Sequence, residues 1–135
     1  MSLVETVKRA KDVKEPQSQP DGQYKLSIIS VKDGEGKESG KPYTRFTYKV
    51  ENPQNSPAQL VSEIVMHVDS EADDDTNDRR ALQIRRIKEA FKLVDADFND
   101  YEKLKGKMAW ADLKETDDSE YGLQNSVRKW IQPTE

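Results

Sequence analysis

The sequence has no cysteine and a single histidine, His67, in 135 residues. Without thiols there is no disulfide framework and no cysteine nucleophile, and one imidazole cannot build sites that need several histidine ligands. Glycine-rich phosphate loops and nucleophile-elbow motifs are also missing. We therefore expect a protein that is not an enzyme and that needs no cofactor or metal.

Long apolar runs are missing too. Hydrophobic residues make up 33% of the chain and charged residues 36%, so we expect a single compact core. No run is long enough to span a membrane, and residues 1–16 lack the apolar centre of a signal peptide. We expect a cytoplasmic protein without a membrane partner, with a flexible N-terminal segment at residues 1–21 and one folded domain at residues 22–132.

The chain also has no excess of positive charge, because its formal net charge is −4 at pH 7. Such a chain does not attract nucleic acid as a whole, so binding would require cations to gather on one surface. The acidic residues include one dense cluster, formed by Asp73, Asp74, Asp75 and Asp78. This cluster lacks the spacing and the internal glycine of a calcium loop, so we expect it to cap a helix and not to bind a metal.

Five segments of strand-like composition are separated by loops rich in glycine, proline or acidic residues. The predicted strands are residues 22–32, 42–51, 59–69, 107–115 and 123–131. In the first strand the apolar pattern changes face near Ile28, which indicates a bulge. In the third strand the even-numbered apolar residues are expected to face the core, although a bulge would reverse the faces. These residues are Leu60, Ile64, Met66 and Val68.

A helix is predicted over residues 79–94, between the third and fourth strands, and with its acidic loop it fills residues 70–105. Its apolar stripe at helical spacing consists of Ile84, Ile87, Phe91 and Val94. Asp74, Asp75, Thr76 and Asn77 all suit its N-terminal cap. Its cations are expected to form a solvated face, as charge runs usually do. They are Arg79, Arg85, Arg86, Lys88 and Lys92.

The second strand carries the clearest functional pattern, because the side chains of a strand alternate between two faces. Its core face consists of Phe46, Tyr48 and Val50. Its outer face consists of Tyr43, Arg45, Thr47 and Lys49. An aromatic ring followed by cations suits single-stranded nucleic acid, whose bases stack on rings and whose phosphates attract cations. The alternative is an ordinary half-buried strand with a polar outer face.

The order of the elements is three strands, one helix and two strands. This order predicts an all-β domain, a five-stranded OB-fold β-barrel with the helix between strands three and four. In that fold the face of strands two and three binds oligonucleotides or oligosaccharides. A ferredoxin-like fold would need another helix after the first strand, where residues 33–42 supply only a glycine-rich loop.

Four short segments resemble the OB-fold single-stranded DNA-binding proteins encoded by tailed bacteriophages. They are Gly22-Gln23-Tyr24, Tyr43 to Val50, Leu104-Lys105-Gly106-Lys107, and Gly122 to Val127 with its Asn125-Ser126-Val127. The resemblance implies a protein that coats and protects single-stranded DNA during phage DNA replication or recombination in the host cell cytoplasm. It also implies that DNA lies across strands two and three, over Tyr43, Arg45 and Lys49. Contacts with replication or recombination proteins, or with further copies of the chain, are left open.

The candidate nucleic-acid contacts extend beyond the second strand. The full set is Lys37, Lys41, Tyr43, Arg45, Thr47, Lys49, His67, Lys107, Trp110, Arg128 and Trp130. Trp110 alternates with Ala109 and Ala111, so either the ring or the alanines face the core. For Trp130 a core contact is favoured, since aromatic residues bury large areas. The alternative function is an OB-type protein-interaction adaptor without direct nucleic-acid binding, which docks a partner through the same face or the basic helix.

Overall fold

The computed structural model describes residues 2–118, 120 and 122–132. Five strands form one antiparallel sheet in the order β3-β2-β1-β4-β5. The strands are β1 Gly22–Glu35, β2 Pro42–Val50, β3 Val61–Met66, β4 Met108–Asp118 and β5 Gly122–Trp130. The helices are α1 Leu3–Ala10, α2 Asp74–Ala90 and two 3-10 helices, Asp95–Asn99 and Tyr101–Leu104. No helix in this part of the chain is long and apolar enough to span a membrane.

The expected mostly β domain, with five antiparallel strands and a helix between the third and fourth, is confirmed. The sheet is not closed into a barrel, because β3 and β5 share no backbone ladder within the described residues. A further helix, α1, precedes the sheet and buries none of its residues. The packed part of the chain begins before residue 22, since the side chain of Gln19 is fully buried and accepts hydrogen bonds from the backbone N–H groups of Gln54 and Asn55, each at 2.7 Å.

Strand β1 lies at the centre of the sheet, between β2 and β4. The predicted bulge is confirmed, since the register with β2 shifts between Ile28 and Ser30. The extra residue allows Ile28 and Val31 both to be buried, while Ile29 is exposed. Beyond the bulge, the side chains of β1 therefore take the face opposite to the one that strict alternation would give.

The predicted faces of β3 were wrong. Val61 and Val65 are buried, and the even-numbered residues expected in the core are not. Those residues, half-buried or exposed, are Leu60, Ile64, Met66 and Val68. The register is the reason, because Val61 pairs with Tyr48 and Val65 with Thr44, both on the core face of β2. The sequence pattern misleads here because Glu63, between the two valines, also lies on that face.

Helix α2 begins at Asp74 and not at residue 79, because the acidic run forms its first turn. Asp73 caps the helix, with its Oδ1 accepting a hydrogen bond from the backbone N–H of Thr76 at 2.7 Å, and acidic side chains at this end complement the helix dipole. Two stripe residues, Ile87 and Phe91, are buried as predicted. Val94 lies beyond the end of the helix and is 60% exposed, so its place in the stripe was wrong.

Glu63 joins β3 to β2, β5 and α2 at the open edge of the sheet. Its Oε1 accepts hydrogen bonds from the hydroxyl of Tyr48 at 2.9 Å and from Nε1 of Trp130 at 3.2 Å. Its Oε2 accepts a longer hydrogen bond from Nε2 of Gln83 at 3.4 Å. Burial raises the pKa of Glu63 above its ordinary value, and the three donors offset this effect only in part.

Replacement of Glu63 by glutamine is expected to change how stability depends on pH. With a raised pKa, the folded protein binds the Glu63 proton more tightly than the unfolded chain does. The stability from this group is therefore full below the ordinary value of 4.5 and is lost as pH rises through the folded pKa. Glutamine does not titrate but keeps a carbonyl acceptor for Tyr48 and Trp130. Urea denaturation at several pH values across this window should show the loss of stability with rising pH in the wild type only. Identical pH profiles of stability for the two proteins would contradict this prediction.

Candidate functional site

The outer face of the β1–β2 ladder gathers cations from both strands. Arg45 pairs with Lys32, and Lys49 and Lys25 continue the same face on the other side of the bulge. We call these four residues the cationic strip. Among the described residues, none of the four has a carboxylate within 4.0 Å. The outward positions of Arg45 and Lys49 are confirmed, whereas Lys32 and Lys25 were not predicted.

Tyr43 lies against a glycine at one end of the strip. It pairs with Gly34, and a β-carbon built on Gly34 would lie 2.7 Å from both Cζ and Oη of the tyrosine. The ring therefore fills the space that any other residue at position 34 would need. Tyr43 is half-buried, and so is Thr47 four residues further on. The glycine backbone thus supports the ring, while part of the ring stays open to solvent.

Exposed apolar side chains border the cationic strip. On β3, Ile64 lies opposite Arg45 and is 43% exposed. On β1 the bulge residue Ile29 is exposed, and on β4 Met108 is 48% exposed. Cations alone form an ordinary solvated surface, whereas cations beside apolar and aromatic groups offer both charge and contact area.

Trp110 is exposed on the outer face of β4. The alternative in which the alanines face the core is the correct one, since Ala109 and Ala111 are buried and Trp110 is 45% exposed. Trp110 pairs with Lys25 of the cationic strip. The strip and this second ring therefore lie on the same side of the sheet.

Trp130 lies in the core. It is 7% exposed, and its ring meets those of Tyr48 and Phe91 edge-on at centroid distances of 5.2 and 4.9 Å. The register between β5 and β4 skips Arg128, so Val127 and Trp130 both pack on the core side. The core contact favoured for Trp130 is confirmed, and its inclusion among the DNA contacts was wrong.

Three of the predicted cations lie in loops beside the strip. Lys37 and Lys41 are exposed in the β1–β2 loop, where Nζ of Lys41 is 3.9 Å from the carboxylate of Asp69. Lys107 is exposed just before β4, and its carbonyl accepts a hydrogen bond from the backbone N–H of Ile28 at 3.0 Å. These cations flank the strip, and Lys41 is partly neutralised by its neighbour.

His67 is turned away from the cationic strip. Its Nε2 is 2.7 Å from the hydroxyl of Thr44, which is buried on the core face of β2. Thr44 gives its only hydroxyl proton to Asp33 Oδ1 at 2.7 Å, so His67 must be the donor to Thr44. The hydrogen bond from Thr44, and then that from Tyr101, lower the pKa of Asp33. His67 is exposed, but it directly follows β3 and continues the face of Val61 and Val65. The outer-face position expected for it among the DNA contacts was therefore wrong.

His67 and Thr44 line a groove of about 580 Å³, which lies between β3, α2 and the 3-10 helices. Its walls are mainly apolar, and they include Phe46, Ile84 and Phe98. This groove opens on the core side of β3 and is separate from the strip.

A second group of cations lines a groove of about 170 Å³ between α2 and β5. This cationic groove contains Arg79, Arg86, Arg128 and Lys129. Within the described chain only Arg128 among them has an ion-pair partner, Asp112 at 3.8 Å, and Glu63 also lines the groove. Because the ring of Trp130 at its floor is buried, the groove can hold an anionic group but offers no surface for a stacked base. Arg128 lines this groove and is paired with Asp112, so it is not one of the unpaired cations of the strip.

A family model covers most of the chain, including the cationic strip and Tyr43. The model, described as Protein of unknown function (DUF669), matches residues 5–124. The chain belongs to the DUF669 family. No curated protein matches this DUF669 protein. The family match thus begins inside α1 and reaches the start of β5.

Proposed function

We propose that this DUF669 protein binds single-stranded DNA with little dependence on sequence and without catalysis. The observation that carries the proposal is the outer face of β1 and β2, where four cations without carboxylate partners lie beside the supported ring of Tyr43. Cations attract the phosphates, and an aromatic ring stacks on bases of any kind. Acidic residues elsewhere on the chain discourage nonspecific contacts with nucleic acid.

The strand order supports an OB-type fold for this protein. The order β3-β2-β1-β4-β5, with α2 between β3 and β4, is compatible with a five-stranded barrel that is open between β3 and β5. The hydrogen bond from Trp130 on β5 to Glu63 on β3 links the two edge strands of the sheet. On such a fold the proposed DNA-binding surface includes β2, as the resemblance to phage proteins implies.

The proposed role is to coat and protect single-stranded DNA in phage DNA replication or recombination, in the host cell cytoplasm. This role rests on the resemblance of the four sequence segments, and the exposed cationic strip is consistent with it. Replication or recombination proteins and further copies of the chain are the additional partners proposed.

The salt dependence of binding tests the proposal. For the wild type, log affinity for a labelled mixed-sequence oligonucleotide should fall with log salt by about 0.7 per phosphate contact. Replacing both Lys32 and Arg45 by glutamine should lower this slope by about 1.4, because two contacts are lost. Replacing Arg85 and Lys103 by glutamine should leave the salt slope unchanged, because both residues are exposed outside the strip. No binding at low salt, or an affinity that ignores salt, would rule out the proposal.

The cationic groove favours a second candidate function, an adaptor that docks an acidic partner protein. Four cations line this groove together with the carboxylate of Glu63, and the groove lacks an exposed ring. Titration with a labelled oligoglutamate peptide and with a labelled oligonucleotide separates the two functions. Peptide binding that is lost on replacing Arg79 and Arg86 by glutamine, without any oligonucleotide binding, would favour the adaptor.

A further inference from the structure

Lys92 has a backbone conformation that lysine rarely adopts. Its φ is +57°, and it is the one residue other than glycine with positive φ in the described part of the chain. It follows α2 at the position where the backbone N–H of Leu93 reaches back to the carbonyl of Lys88 at 2.8 Å. Helices commonly end in this way with glycine, which has no β-carbon to clash. Glycine at this position would therefore stabilise the fold more than lysine does.

Lys92 shares a groove with an exposed ring. It lines a groove of about 390 Å³ between the end of α2 and β4, together with Met108, Trp110 and Ile131. Within the described residues Lys92 makes no ion pair. The groove therefore combines an aromatic ring, a flexible apolar side chain and an unpaired cation, which are the groups that bind one nucleotide of a single strand.

The register makes this groove continuous with the cationic strip. Ser27 of β1 pairs with Lys49 on one side and with Met108 on the other. Lys49 and Met108 are thus two strands apart, or about 10 Å at the usual spacing between strands. A strand of DNA that leaves Lys49 across β1 meets this groove next.

We propose that the groove is a second nucleotide subsite, in which Trp110 stacks on a base and Lys92 contacts the adjacent phosphate. This inference rests on the proposed function, because it extends the path of the DNA from β2 over β1 to β4 and the end of α2. It also explains why a lysine occupies a position that favours glycine. A purely structural helix end would require neither the charge nor the neighbouring ring.

Replacement of Lys92 by glycine separates the two explanations. Glycine relieves the strained conformation, so the melting temperature should be unchanged or rise by about 2–4 °C. Affinity for a mixed-sequence oligonucleotide should fall about fivefold at 0.1 M salt, and the salt slope should fall by about 0.7, because one phosphate contact is lost. Lys92→Asn, which tolerates positive φ but carries no charge, should show the same loss of affinity. Arg85→Gln on the solvent side of α2 is the control and should bind like the wild type.

Tryptophan fluorescence provides a second readout. Single-stranded DNA should quench the wild-type emission, and Trp110→Phe should remove most of this quenching, because Trp130 is buried. Wild-type affinity and salt slope in both Lys92 variants would overturn the subsite while the proposed function stands. Quenching that survives in Trp110→Phe would also overturn it. A wild-type protein that binds no oligonucleotide would overturn the proposed function and the subsite together.

Discussion

Replacing Tyr43 by alanine is expected to weaken the binding of mixed-sequence single-stranded DNA by about tenfold or more. A base stacked on an aromatic side chain contributes about 1–3 kcal/mol as judged by alanine substitution, and about 1.4 kcal/mol is a factor of ten. The salt slope should stay constant, because the ring contacts no phosphate. Oligonucleotide titrations at several salt concentrations measure both the affinity and the salt slope. Arg45→Ala should instead lower the salt slope, because a phosphate contact is lost.

The glycine under the ring allows the same surface to be disturbed without removing the tyrosine. A β-carbon at position 34 would lie 2.7 Å from the outer end of Tyr43, so Gly34→Ala should displace the ring and weaken binding at little cost to stability. Gly36→Ala is a matched control in the same hairpin, because its β-carbon would lie 2.5 Å from Oγ of Ser39 and 3.9 Å from the backbone nitrogen of Gly40, away from the ring. Equal affinity in the two variants would show that the position of the ring is unimportant. Unfolding of Tyr43→Ala would show that the ring belongs to the core.

The parts of the fold that depend on local alternation could be predicted from the sequence. On β2 the burial of Phe46, Tyr48 and Val50 and the exposure of Arg45 and Lys49 follow from a period of two. The bulge in β1 was also predicted, because the apolar residues change from the face of Leu26 and Ile28 to the opposite face at Val31, although Ile29 is exposed. These features require no knowledge of which strands are neighbours.

The parts that depend on register could not be predicted in this way. Lys32 joins Arg45 only because β1 pairs with β2 after the bulge, and the faces of β3 are set by the pairing of Val61 with Tyr48. A slip of one residue reverses both faces of a strand, and nothing in an isolated strand sequence fixes that choice. The same holds for Trp130, whose side of β5 depends on the irregularity at Arg128.

The cationic groove, and the groove that Lys92 and Trp110 share, could not be predicted from the sequence for a related reason. Each combines the helix with a distant strand, so neither has a spacing that could be read along the chain. The only local signal at Lys92 is the end of the apolar stripe, and the sequence extends that stripe to Val94. A lysine at a helix end is also ordinary in composition, since cations there complement the helix dipole. Its unusual feature is the backbone angle, which only the structure reveals.

Replacing Tyr48 by alanine is expected to have the largest effect on stability, a loss of about 3–5 kcal/mol in the free energy of unfolding, as for buried aromatic residues generally. Tyr48 is fully buried and lies at the centre of the aromatic cluster. Ring centroids of Phe46, Phe91 and Trp130 lie 6.3, 5.9 and 5.2 Å from its own. Alanine would leave a cavity among these rings and would also remove one of the donors to Glu63.

Because small domains are stable by only about 5–15 kcal/mol, the Tyr48→Ala protein should lose a large share of its stability. Urea denaturation measures the loss in the free energy of unfolding. The Tyr48→Phe variant separates the contribution of ring packing from that of the hydrogen bond. Phenylalanine keeps the ring packing and loses only the hydrogen bond to Glu63, for which about 1.5–3 kcal/mol is expected with a charged acceptor. Tyr43→Ala, on the other face of the same strand, should cost much less, since its ring is half-buried against a glycine. If Tyr43→Ala and Tyr48→Ala lost equal stability, the two faces of β2 would not differ as core and surface, and the cationic strip would lose its basis as an exposed binding surface.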